Sequence, residues 1–133
     1  MSKQADAAAK PGQILVIDDE EGAVRVLTQI LEQAGYEVTS TQSGKQGVSL
    51  QRGNPSDLII MDIFMPDLNG VEAIQRLKKS YPKTPIIAIS GGQTMAGRDC
   101  LELAREKGAD YTFRKPFKMA EFVETVRTAL TSS

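Results

Sequence analysis

The chain has 133 residues, 41% of them hydrophobic and 25% charged, with a net charge of -1; that is about one domain's worth, able to bury roughly two-thirds of its unfolded surface without staples. The charge balance leaves no basic footprint for nucleic acid and no polybasic membrane patch, and no apolar run reaches the ~20 residues of a membrane span. The sequence has no histidine, which excludes hydrolysis with a histidine base and metal sites built on imidazole.

Met1 to Gln13 is polar and alanine-rich without an apolar signal core. It reads as a loose tail over residues 1–12, ending at Pro11-Gly12, ahead of one domain over 13–133. Ile14-Leu15-Val16-Ile17 is a continuous apolar run, the mark of a strand buried on both faces. It ends on Asp18-Asp19-Glu20-Glu21. Val24, Leu27, Ile30, Leu31 and Ala34 then recur at helical spacing, and Gly35 stops that helix. Tyr36 to Thr41 is a shorter, more polar strand, placed nearer an edge. Ser43 can cap a helix running to about Arg52, on a weak stripe of Val48 and Leu50. Gly53-Asn54-Pro55 is a loop. Leu58 to Met61 is the third strand, and it delivers Asp62. Pro66 and the Asn69-Gly70 pair predict a hard turn just after that acid. Val71, Ile74 and Leu77 mark a helix ending near Ser80. Ile86 to Ile89 is the fourth strand, stopped by a flexible loop at Ser90-Gly91-Gly92. Arg98 to Lys107 reads as a helix closed by Gly108. Tyr111 to Arg114 is a short fifth strand, and Lys115-Pro116-Phe117 follows it. The last helix carries Met119, Phe122, Val123, Val126, Ala129 and Leu130 on one stripe. Cys100, the single cysteine, rules out an internal disulfide, fits a reducing compartment and reads as a buried structural thiol.

Five strands alternating with five helices define an α/β fold, a parallel sheet with helices on both faces and right-handed crossovers. Every strand then ends on one edge, where open α/β sheets bind ligands. Asp18, Asp19, Asp62, Ser90 and Lys115 all stand there. Three carboxylates on one edge repel and raise one another's pKa unless a cation sits among them. Oxygen ligands without histidine or cysteine suit Mg²⁺ rather than zinc or copper. A carboxylate beside Mg²⁺ can attack phosphorus and form an acyl phosphate. The phosphoryl oxygens then need neutralising, and Lys115, the Ser90 hydroxyl and backbone N–H groups near Gly91 can do that. Each piece alone has a plainer use. Asp18 and Asp19 could cap a helix, Asp62 could be a turn acid, Ser90-Gly91-Gly92 a loop and Lys115 a solvated lysine. Their order on strands one, three, four and five argues for a site.

The runs Ile14-Leu15-Val16-Ile17-Asp18-Asp19-Glu20, Asp57 to Pro66 with Gly70, Ile89-Ser90-Gly91 and Lys115-Pro116-Phe117 resemble the response-regulator receiver domain of two-component signalling. The likeness runs from about Gln13 to Thr131. It implies a flavodoxin-like (βα)5 doubly wound sheet of strand order 2-1-3-4-5. It implies that Asp62 accepts phosphate from a histidine kinase or a histidine phosphotransfer protein. By the family pattern Asp19, Asp62 and the backbone carbonyl of Phe64 hold Mg²⁺, and Asp18 assists through water. Ser90 is then the switch hydroxyl and Lys115 the phosphate partner. Phosphorylation adds nearly two negative charges and changes the face of the fourth helix, fifth strand and fifth helix for an unknown downstream protein target. The expected protein is cytoplasmic, a monomer or weak dimer, without a nucleic-acid or membrane partner. About two residues follow the last predicted helix, so the expectation is a stand-alone acceptor.

Two positions depart from the family pattern. Many receivers carry a Tyr or Phe three residues before the lysine; Thr112 stands there, with Tyr111 sent to the opposite face by strand alternation. Gly91, followed by Gly92, stands where alanine is common, and two glycines raise loop freedom. A readout that relies more on this loop than on a rotating ring is the expectation. Two other functions compete. A small Mg²⁺-dependent phosphatase would want an acid two residues after its nucleophile, and Phe64 cannot transfer a proton. A receiver that only binds and is never phosphorylated would not need the complete acid set and Lys115.

Overall fold

A computed structural model of the protein describes residues 12–132. The expected tail lies outside the described residues except for Gly12. In chain order the elements are β1 (Gln13–Ile17), α1 (Glu21–Gln33), β2 (Glu37–Thr41), α2 (Gly44–Gly53), β3 (Leu58–Asp62), β4 (Phe64–Met65), β5 (Leu68–Asn69), α3 (Gly70–Ser80), β6 (Ile86–Ser90), β7 (Thr94–Met95), β8 (Arg98–Asp99), α4 (Cys100–Lys107), β9 (Tyr111–Arg114) and α5 (Met119–Ser132). Five strands form one sheet in the order β2-β1-β3-β6-β9, and every pair in it is parallel. Counting the long strands alone, this is the expected order 2-1-3-4-5.

The continuous apolar runs are explained by burial on both faces. Ile14, Val16, Leu58, Ile60, Ile87 and Ile89 pack with Leu27 and Leu31 of α1 and with Phe122, Val126 and Ala129 of α5. Leu15, Ile17, Ile59, Met61, Ile86 and Ala88 face the other way, onto Ala73, Ile74 and Leu77 of α3 and Cys100, Leu101 and Ala104 of α4. Strand alternation alone sorts these neighbours. Each fully buried Leu or Ile contributes about 1.5–3 kcal/mol relative to exposure.

The weak stripe of α2 has a physical reason. That helix buries Gly44, Gly47 and Gln51 rather than large apolar residues. A Cβ on Gly47 would lie 2.4 Å from Ile17 Cδ1, so the helix is seated by close backbone approach. Gln51 is wholly buried and accepts the Ser56 N–H at 2.9 Å.

Two short antiparallel ribbons were not expected from periodicity. β4 pairs with β5 across Pro66-Asp67, which is the hard turn after Asp62. Asn69 then caps α3, accepting from the N–H groups of Val71 and Glu72. β7 pairs with β8 across Ala96-Gly97. The fourth helix therefore starts at Cys100 instead of Arg98, with the Asp99 side chain accepting the Leu101 N–H at 2.8 Å. Cys100 is 1% exposed and burial raises its thiol above the ordinary value, as expected of a structural cysteine.

Candidate functional site

The register of the sheet builds the site. Ile17 lies beside Met61 in the β1–β3 pair, so the next residue on each strand, Asp18 and Asp62, emerge side by side. Asp62 lies opposite Ile89 of β6. The Lys115 N–H continues the β6–β9 ladder by donating to the Ser90 carbonyl at 2.8 Å. Alternation gives Asp18, Asp62 and Lys115 the parity of the α1–α5 face. Carboxylate oxygens of Asp18, Asp19 and Asp62 all lie within 4.8 Å of one another.

Lys115 Nζ donates to Asp62 Oδ2 at 2.9 Å, to Glu20 Oε1 at 3.2 Å and to Asp18 Oδ2 at 3.3 Å. Asp18 and Asp62 are buried, at 1% and 7% exposure, while Asp19 and Glu20 are open to solvent. Backbone donors steady the two buried acids. The Phe64 N–H donates to Asp62 Oδ1 at 2.9 Å and the Glu20 N–H to Asp18 Oδ1 at 3.0 Å. Neither acid caps a helix: α1 starts at Glu21, and its N-cap residue Glu20 makes no side-chain cap.

The charges are unevenly tuned. Burial pushes the Asp18 carboxyl up, and the Asp62 charge adds to that; the Glu20 N–H and Lys115 only partly offset it. Burial alone would lower the Lys115 pKa, but the hydrogen bond to Asp62 and the charges of Asp18 and Asp62 outweigh it and raise it. Lys115 is therefore cationic across the neutral range. Among the described residues one cation, Lys115, faces four acids here, so their charges leave an excess of negative charge at the edge.

Ser90 is placed differently. Its parity is that of Ile86 and Ala88, toward α4. Its hydroxyl is wholly buried and donates to Gln93 Oε1 at 2.7 Å. Among the described residues no hydrogen bond joins Ser90 Oγ to the acids or to the Lys115 side chain. Thr112 is on the α4 side as well, its Oγ1 accepting from Arg105 at 2.6 Å. Tyr111 packs on the other face, with the α5 cluster.

Glu20 and Gln93 are the two residues that sequence reasoning missed. Glu20 sits in the acidic run after β1, and that adjacency was a usable signal for it. Gln93 follows two glycines in a loop and carries no periodic signal. The exposed large hydrophobics among the described residues are Val26 and Phe64, at 46% and 50%. Phe64 stands two residues past Asp62. Val26, Pro116, Phe117 and Met119 help line a cleft of about 310 Å³ that also takes in Asp18 and Lys115.

Fold and edge together define a doubly wound α/β domain that gathers carboxylates and a lysine at the C-terminal ends of its strands. A family model described as the response regulator receiver domain matches residues 14–127. The chain belongs to that family, the receiver domains of two-component response regulators. It is 32% identical over 119 residues to the uncharacterized transcriptional regulatory protein YkoG of Bacillus subtilis, covering 90% of this chain and 51% of that one. It is 38% identical over 120 residues to the DNA-binding transcriptional regulator NtrC of Azospirillum brasilense, covering 90% of this chain and 24% of that one. The chain thus spans about half the length of the first relative and about a quarter of the second. The solved receiver domain (CheY-like) from Methanospirillum hungatei superimposes with a TM-score of 0.85 at 25% identity, covering 92% of this chain and 96% of that one.

Proposed function

We propose that residues 13–133 form one phospho-acceptor domain and that Asp62 takes a phosphoryl group from a phosphohistidine on a partner kinase or phosphotransfer protein. The observation that carries this reading is Lys115 Nζ at 2.9 Å from an Asp62 carboxylate that shares a 4.8 Å cluster with Asp18 and Asp19. An Asp62 oxygen attacks phosphorus, the P–N bond to the donor imidazole breaks, and the imidazole recovers its neutral form. The product is an acyl phosphate. Water later attacks the same phosphorus and returns the carboxylate and inorganic phosphate, so the chain is a stoichiometric acceptor rather than an enzyme.

The donor set fits Mg²⁺: hard carboxylate oxygens, an excess of negative charge and an open side at Asp19. Asp19, Asp62 and the Phe64 carbonyl would hold the ion, with Asp18 acting through water; when bound, it supplies neutralisation of the phosphoryl oxygens. Lys115 exchanges its Asp62 oxygen for a phosphoryl oxygen, and Ser90 turns toward the new charge. The shift is transmitted to the face of α4, β9 and α5, where a downstream protein binds. Moving such a two-state equilibrium from mostly off to mostly on takes about 5 kcal/mol of differential interaction, within reach of a few charge-assisted bonds to phosphate. The cleft beside Val26 and Phe117, together with exposed Phe64, offers an apolar rim for the donor protein. No helix among the described residues is long and apolar enough to cross a membrane, and we place the domain in the cytoplasm, as a monomer or weak dimer, with no nucleic acid as its own ligand.

The test is incubation with Mg²⁺ and a small phosphodonor followed by intact mass. One phosphoryl group is expected on the wild type and none on Asp62→Ala. Equal uptake by both rejects Asp62 as the acceptor.

A further inference from the structure

We propose that Gln93 is a positioning residue that holds the Ser90 hydroxyl at rest and releases it, together with the start of α4, when a phosphoryl group forms on Asp62. This rests on the functional reading above and adds to it a residue that the reading does not use. The Ser90 hydroxyl has one proton to donate, and Gln93 Oε1 takes it at 2.7 Å. The same oxygen accepts the Gly91 N–H at 3.0 Å, while Ser90 Oγ accepts the Gly92 N–H at 3.2 Å. These bonds fold residues 90 to 93 into a closed ring. Ser90 cannot donate to a phosphoryl oxygen until the bond to Gln93 breaks.

Gln93 also holds the helix. Its backbone carbonyl accepts the Cys100 N–H at 3.1 Å, one of the donors that a helix start leaves unpaired. One residue therefore joins the hydroxyl, through its side chain, to α4, through its main chain. Between the two lies the β7–β8 ribbon, turned by Ala96 at φ 54° and Gly97 at φ 77°. Positive φ at both central residues suits a two-residue hairpin, but in alanine it is strained by the Cβ. The Arg98–Glu106 ion pair fastens the ribbon to α4. The segment thus has a fastened form and stored strain that a looser form would release. A phosphoryl oxygen is a charged acceptor, and charged acceptors bind a hydroxyl about twice as strongly as a neutral amide oxygen does. The new acceptor draws Ser90 away from Gln93, and the ribbon and the first turn of α4 are freed with it.

The test uses the full chain with Mg²⁺ and beryllofluoride as the phosphoryl probe. Removing one competing hydrogen bond makes Gln93→Ala bind beryllofluoride about fivefold tighter than wild type. In the probe-free protein the Gly91 amide exchanges faster in Gln93→Ala, whereas Gln93→Glu, which keeps an oxygen acceptor, retains its protection. In a Ser90→Ala background, adding Gln93→Ala leaves the affinity within twofold, because the residue acts through that hydroxyl. A wild type that takes phosphate on Asp62 alongside a Gln93→Ala that binds the probe no tighter overturns the latch alone. The same gain with and without Ser90 also overturns it. A wild type that takes no phosphoryl group and binds no probe brings down the functional reading and the latch together.

Discussion

Lys115 Nζ lies 2.9 Å from Asp62 Oδ2, nearer than to Glu20 at 3.2 Å or Asp18 at 3.3 Å, so the acid proposed as acceptor is already the lysine's closest partner. The lysine neutralises that carboxylate at rest and has only a short way to travel to a phosphoryl group built on it. Replacing it by alanine removes one preorganised cation from the transition state. Lys115→Ala is expected to slow uptake from a small phosphodonor about a hundredfold, read as a time course of intact mass. An unchanged rate would show that Mg²⁺ alone neutralises the transferred group.

Metal binding is readable without any phosphodonor. At about ten times its dissociation constant, Mg²⁺ stabilises the folded chain by ~1.4 kcal/mol. Thermal melts with Mg²⁺ and with a chelator measure the gain. Asp19→Asn removes the exposed carboxylate of the cluster and is expected to lose most of that gain while melting normally without metal. A variant that keeps the full gain assigns the ion to other ligands.

The buried Asp18 gives a pH dependence of definite sign. Its folded pKa lies above the ordinary 3.8, so the folded state holds the proton more tightly than the unfolded chain. The contribution is fully present below 3.8 and is lost as pH rises through the folded value. Asp18→Asn keeps an oxygen for the Glu20 N–H and removes the charge. In metal-free buffer it is expected to melt about 2–5 °C above wild type at neutral pH, with the difference shrinking as pH falls toward 4. A gap that is constant with pH would mean that the gain is not electrostatic.

Gly47 tests the seating of α2. An added methyl meets Ile17 Cδ1 at 2.4 Å and Cγ1 at 2.7 Å. Gly47→Ala is expected to destabilise by about 2 kcal/mol through overpacking. Ile17→Val removes the Cδ1 atom, so the double variant should recover part of that loss in denaturant melts. Additive losses would place the strain elsewhere.

Thr112 and the loop after β6 carry opposite expectations. Thr112 is bound to Arg105 on the α4 side and has no ring to rotate. Hydrogen exchange across Gly91 to Arg98 should change on adding beryllofluoride, and Thr112→Val should leave that change in place. No change in exchange across the loop would sink a loop-based readout.

Much of this was legible from residue order. Runs such as Leu58 to Met61 are apolar at every position because both faces of the sheet are covered, and that pattern survives in one dimension. The acids that end these runs share an edge because all five strands are parallel. The small elements were not legible. The β4–β5 and β7–β8 ribbons are two residues per strand, too short for periodicity, and the β7–β8 turn depends on positive φ at Ala96 and Gly97. The α2 contact was hidden for another reason: a glycine buried against Ile17 leaves no apolar signal.

The residue string by itself determined the parallel sheet and the gathering of Asp18, Asp62 and Lys115 at one edge, because both follow from burial patterns and chain alternation; the strand order came only with the resemblance to receiver domains. Only the tertiary structure decided which groups touch. It drew Glu20 onto Lys115 and gave Ser90 to Gln93 instead of to the acids. Hydrogen bonds depend on distance and direction to fractions of an ångström, and a linear order of residues carries neither.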